Sequence, residues 1–415
     1  MKVNVTLESV VSRAAITALA IVLVAPSLKI RFALTDLTVY LLPLGIFAVF
    51  ALFSNMMHFP TIVLRIRAAS IFLFVFAGPF LAFYNGGSVE PGLLTTISLN
   101  MCLGVLVILY PWTLNSMHAF IQTLAALGVL LAANTLLFYG SDEELQYLTD
   151  HNGDSYLNVS YLHTSFAMGL GVICATYLVV KNQNPLTLLI FVTGWFGLAV
   201  GRGRGALLFC IVVSVLYLLV VLNSRISSFG KGGKFFLVIL IVSFIPAVIA
   251  QTLKVGRNSD GIRRMLLETD VELDQGGRGA LWKYAYEQFL ESPLVGNGLG
   301  AAFAGEMSHP HNQFLQWAVD SGLVGVVLLL LFWLLVARAT FRSIAISNAE
   351  SINLVYACAA LSLYVFLNYM KSSDAYFGRD IHILSVMPVA CFLAIQSHRI
   401  SKTRRRRRRR RVVHQ

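Results

Sequence analysis

Immediately before a long apolar run the chain reads His309-Pro310-His311-Asn312. An imidazole placed there can be shielded by a helix and still reach solvent. Its ordinary pKa of about 6.5 suits a general base that takes a proton from a hydroxyl nucleophile. The same residues can equally be structural, with His311 and Asn312 closing the helix entrance. His309 and His311 stand one residue apart with no third ligand supplied nearby, which disfavours zinc, and no metal is expected.

Two other segments carry arginine. Arg202 and Arg204 lie in Gly201-Arg-Gly-Arg-Gly205, and Arg278 opens a stretch that reaches Trp282. A guanidinium is a planar fork of permanent donors matched to phosphate. A pair from separate connections could hold a diphosphate while its charge grows during departure. Arginines at a membrane surface also snorkel to headgroups, and that reading stands beside the first. Pro293 to Gly300 is a turn whose glycines at 296, 298 and 300 could let backbone N–H groups approach a ligand. A further polar connection, 371–380, holds Asp374, Arg379 and Asp380; either carboxylate could help orient the base. The chain has no Walker motif, carboxylate-rich metal loop or dinucleotide fingerprint, so no cofactor is expected.

The elements that must position these groups are membrane helices. Hydrophobic residues make up 57% of the 415, charged residues 13%, and mean hydropathy is +0.73. A soluble domain is closer to a quarter charged, so lipid is the solvent here. Windows of about 20 residues give about twelve candidate spans, near 10–26, 35–54, 68–84, 93–110, 119–138, 158–180, 185–200, 205–222, 235–252, 313–337, 352–370 and 382–397. The expected fold is all-α: a single polytopic membrane domain over 1–415, with a large external loop over 253–312 that contains short helices.

Basic residues set the orientation. Arg404–Arg411 is a run of eight arginines in a basic tail over 398–415, expected on the cytoplasmic side. Arg338, Arg342, Arg225, Lys231, Lys234, Lys181, Arg65 and Arg67 fall on that side too. The loop with Asp142, Glu143, Glu144, Asp150 and Asp154 has no Lys or Arg and falls outside. Both termini are therefore expected inside, with the polar segments above at the outer face. Lys29 and Arg31 dissent. The first span could be a signal sequence, but no clear small-residue cleavage site follows it. Net charge is +12, of which the run supplies eight, so the charge reflects topology and gives no reason to propose nucleic acid.

Within the large loop, Lys254, Arg257, Arg263 and Arg264 form a basic patch, and Glu268, Asp270, Glu272 and Asp274 an acidic one. From Arg278 to Glu291 the apolar residues Leu281, Trp282, Ala285 and Phe289 recur at helical spacing. This predicts an amphipathic helix in the interface with Trp282 at headgroup depth, stopped by Pro293. Cys102, Cys174, Cys210, Cys358 and Cys391 all fall in spans without ligand or disulfide spacing and read as packing residues.

Gly203-Arg-Gly-Ala-Leu-Leu208, Arg278 followed by Trp282, Pro293-Leu-Val-Gly-Asn-Gly-Leu-Gly300, His311-Asn-Gln-Phe-Leu315 and Gly322-Leu-Val-Gly325 together resemble the O-antigen ligase and polymerase family. The resemblance implies many spans around a large periplasmic loop in the inner membrane of a Gram-negative bacterium, with the active site facing the periplasm. It implies a glycosyltransferase that moves O-polysaccharide from undecaprenyl diphosphate without a nucleotide sugar. Arg204 and Arg278 would hold the donor diphosphate, with Arg202 beside them, and His311 would act on the acceptor hydroxyl. Asn312, His309 and Asp380 would support them. One departure is Gly203, where many members carry Ser.

Within the family, the single late loop and the basic patch at Arg257–Arg264, suited to lipid A–core phosphates, favour the ligase of lipopolysaccharide biosynthesis over the polymerase. The expected reaction is an inverting, metal-independent transfer to a lipid A–core sugar. A flippase or transporter of lipid-linked glycans is the reading from another class. It would place charges or broken helices near the bilayer midplane, whereas here the polar groups gather outside.

Overall fold

The computed structural model describes residues 7–31, 41–57, 62–76, 91–137, 160–182, 184–200, 204–223, 278–301, 310–349, 351–371 and 379–413. Among these residues the secondary structure is helical, with no strand. The helices are α1 (Leu7–Arg31), α2 (Leu42–Met57), α3 (Ile62–Phe76), α4 (Pro91–Leu109), α5 (Leu114–Leu137), α6 (Ser160–Asn182), α7 (Pro185–Val200), α8 (Arg204–Asn223), α9 (Arg278–Glu291), α10 (Gln313–Ile346), α11 (Ile352–Tyr369), α12 (Arg379–Leu384) and α13 (Met387–Val413).

Seven of the described helical stretches are long and apolar enough to cross a membrane: 10–28, 114–137, 163–182, 205–223, 313–346, 352–369 and 380–403. Three apolar helical stretches are shorter: Leu42–Ala51, Thr95–Leu109 and Pro185–Val200. Among the described residues these ten stretches coincide with ten of the about twelve expected spans. Hydropathy marks apolar stretches whether or not the helix has full crossing length. The stretch at 235–252, Arg202, His309, Asp374, the basic and acidic patches, and the acidic outer loop lie outside the described residues.

The bundle packs through small residues. α5, α6 and α7 form one tight group. A Cβ on Gly128 of α5 would collide with the backbone of Gly171 on α6, so the two backbones touch at that crossing. Small residues let helices in lipid gain dispersion contact that larger side chains would prevent. α11 packs on α6, α8 and α13, and Tyr364 reaches across to donate to the Phe166 carbonyl at 3.3 Å. An aromatic cluster of Phe72, Phe76, Trp317, Phe332 and His382 ties α3, α10 and α12 together.

α10 is 34 residues long, about 50 Å at helical rise, against a hydrocarbon thickness of about 30 Å. It is interrupted at Gly322, whose φ of 61° and ψ of −158° are not helical. Below the break Leu323, Val324, Val327, Leu330, Leu331 and Leu334 are exposed, as suits a lipid-facing surface. Above it Gln313, Gln316, Asp320 and Ser321 are buried. The break separates a polar cap, held inside protein, from an apolar membrane segment. α13 continues without interruption through the arginine run to Val413.

Candidate active site

α9 forms with the bounds that periodicity predicts. Ala285 packs with Val319 of α10, joined by Ala301 and Leu315, which seats α9 on the upper part of α10. Trp282, expected at headgroup depth, has a more specific contact: its Nε1 donates to the Pro310 carbonyl at 2.9 Å. The ring is 43% exposed.

The next residue, His311, has φ of 51°, the one non-glycine with positive φ among the described residues. Such a conformation is uncommon for a side chain with a Cβ, though His is enriched in it, and it persists where neighbours hold it. They do so here on both sides. Trp282 holds Pro310. Asn312 caps α10, its Oδ1 accepting from the backbone N–H of Phe314 at 2.9 Å and Leu315 at 3.2 Å. The Asn312 Nδ2 donates to the Met370 carbonyl at the end of α11, 3.1 Å away. His311 is half-buried with its Nδ1 shielded from solvent. An imidazole held off the helix by a pinned backbone can serve as a base, and the cap explains why Asn follows it.

The end of α11 gathers the other segments. Tyr369 donates its hydroxyl to the Asp380 Oδ1 at 2.9 Å, which fixes the start of α12 beside the residue that Asn312 grips. Lys371 lies over the Phe209 ring, 5.9 Å from its centroid, which brings the first turns of α8 to the same end. α8 begins at Arg204 and α9 at Arg278, one turn before Trp282. The side chains of Arg204 and Arg278 lie outside the described residues. Their backbone positions put two arginine-bearing helix starts, together with the start of α10, at the end of the bundle that carries His311, Asn312 and Asp380. Helix starts carry partial positive charge and favour anions.

The glycine turn corrects an expectation. The amides of Gly296, Asn297 and Gly298 are taken up by protein carbonyls. Gly296 donates to the Ser292 carbonyl at 2.9 Å, Asn297 to Val319 at 2.8 Å and Gly298 to Asp320 at 3.2 Å. In return Leu323 donates to the Pro293 carbonyl at 2.8 Å and Val324 to Leu294 at 3.2 Å. These bonds satisfy the groups that the break at Gly322 releases, which apolar surroundings would otherwise leave unpaired. A Cβ on Gly296 would run into the Asp320 carbonyl, and one on Gly322 into the Leu294 carbonyl. The glycines therefore serve the close approach of two backbones. Asn297 adds a 2.6 Å bond from its Nδ2 to the Gln288 carbonyl of α9. The sequence signal for this junction was an Asp inside an apolar run, Asp320, followed by Gly322.

Residues 189–330 match the protein family described as O-antigen ligase. Over that segment the chain is similar to the O-antigen ligase family. That segment holds Arg202, Arg204, Arg278, His309, His311 and Asn312, together with the interlocked glycines, whereas Asp380 lies beyond it. Among curated proteins, a provisionally named polysaccharide ligase of Rickettsia conorii is 24% identical over 216 residues. That match covers 44% of this chain and 49% of the relative, so the chain spans about half the length of the protein it resembles.

Proposed function

We propose that the protein is an O-antigen ligase that transfers O-polysaccharide from undecaprenyl diphosphate to a sugar hydroxyl of lipid A–core. The observation that carries this reading is the pinning of His311 between Trp282 and Asn312, at the end of the bundle where the helices of Arg204 and Arg278 begin. The family match supports it.

In the proposed reaction His311 takes the proton of the acceptor hydroxyl as its oxygen bonds to the anomeric carbon. The bond from that carbon to the diphosphate breaks, and undecaprenyl diphosphate leaves with the electron pair. Arg204 and Arg278, with Arg202 nearby, balance its growing charge, and the anomeric configuration inverts. The carrier bond is already activated, so positioning and charge stabilisation suffice without ATP or metal. The site faces the periplasm from the inner membrane, with both termini and the arginine run in the cytoplasm.

The test is reconstitution of the purified protein with the lipid-linked polysaccharide and lipid A–core, without nucleotide and with chelator. A lipopolysaccharide ladder that disappears in His311→Ala supports the ligase. Longer carrier-linked chains made from single repeat units, with no ladder, would establish the polymerase instead.

A further inference from the structure

Gln313 is the first residue of α10, beside Asn312 and two positions after His311. Its side chain is 0% exposed, and neither its Oε1 nor its Nε2 has a hydrogen-bond partner among the described residues. Its neighbour differs: Asn312 uses its carbonyl oxygen for the cap and its amide for Met370. A buried carboxamide lacking both partners is among the more unfavourable arrangements in a protein interior, and the simplest reason to keep one is a ligand that completes it.

The chemistry of that ligand follows from the group. A carboxamide presents a donor and an acceptor together. A diphosphate offers acceptors and would satisfy only the Nε2. Neighbouring hydroxyls on a sugar ring both give and accept, so they can satisfy both atoms. Two residues of chain span at most about 7 Å, so the amide and the base fall within reach of one sugar unit. Resting on the ligase reading, we propose that Gln313 binds the acceptor sugar, holding hydroxyls beside the one that His311 deprotonates.

The test replaces Gln313 with Met, which keeps the length and removes both polar atoms, in full-length protein reconstituted in lipid nanodiscs. An amide without a protein partner leaves the fold at least as stable when removed, so the melting temperature should hold or rise. The KM for lipid A–core should rise about tenfold to a hundredfold, while the KM for the lipid-linked polysaccharide stays unchanged. Gln313→Asn, which keeps both atoms on a shorter arm, should recover part of the loss. Lipid A–core alone should raise the melting temperature of the wild type more than that of Gln313→Met.

An acceptor KM within about twofold of wild type, or a fall in melting temperature that accompanies the lost activity, would overturn the proposal. The second result would mean that the amide serves the fold. A wild type that neither transfers glycan nor responds to lipid A–core would overturn the ligase reading and this assignment together. Normal transfer by both proteins would overturn this assignment alone.

Discussion

The indole N–H of Trp282 and the carbonyl of Pro310 meet at 2.9 Å, which ties a helix of the loop region to the residue directly before His311. This bond makes α9 part of the apparatus that sets the imidazole's position. Trp282→Phe removes the donor and keeps the ring. Transfer should fall about tenfold, the worth of one hydrogen bond that positions a reacting group. Turnover at saturating substrates measures it, and unchanged turnover would show that the tether is dispensable.

Asn312 separates two roles by substitution. Asn312→Asp keeps the capping oxygen and loses the donor to Met370, whereas Asn312→Ala loses both. Thermal unfolding should find Asn312→Ala less stable by about 1–2 kcal/mol from the cap alone. Asn312→Asp should lie between it and the wild type. Equal melting temperatures for the two variants would mean that the capping oxygen contributes nothing, and a wild-type value for Asn312→Asp would mean that the Met370 bond contributes nothing.

His311 combines an unusual backbone with a proposed proton transfer, and the two can be pulled apart. Asn tolerates positive φ, so His311→Asn should keep the fold, with a melting temperature near that of wild type. Glycan transfer should nonetheless drop to background, since the amide cannot take the proton. Appreciable transfer by a well-folded His311→Asn protein would remove the base from the mechanism.

The interlock of Gly296 and Gly322 predicts a stability effect distant from the reacting groups. Gly322 occupies a region of φ and ψ that is essentially restricted to glycine, and the space for its Cβ is filled by the Leu294 carbonyl. Gly322→Ala should cost at least about 2 kcal/mol, seen as a lower melting temperature and reduced amounts of folded protein. Gly296→Ala should act in the same direction, because its Cβ would strike Asp320. Wild-type stability in both variants would show that the two backbones do not meet as described.

Much of the architecture was legible without coordinates because it is local. Whether a stretch prefers lipid depends on its own side chains. Where they are described, the apolar stretches fall on helices, and the amphipathic stretch at Arg278–Glu291 forms with those bounds. α7 ends at Val200 and α8 begins at Arg204, on either side of the glycine- and arginine-rich segment. The residue types suited to proton transfer and phosphate binding were equally plain, since they follow from side-chain chemistry.

What only the tertiary structure decided is which distant groups meet. Nothing local to Pro293–Gly300 says that its amides go to α10, because that pairing exists only once Gly322 has broken the helix and the two backbones lie together. The left-handed backbone of His311 is held by Trp282 through Pro310 and by Met370 through Asn312, partners 28 and 58 residues apart in sequence. Gln313 looks like any polar residue at a helix start until packing encloses it without a partner among the described residues. The sequence by itself determined the helices and the chemical groups, since hydropathy and reactivity belong to single residues. The fold decided their arrangement, since hydrogen bonds across the chain depend on packing that no local stretch encodes.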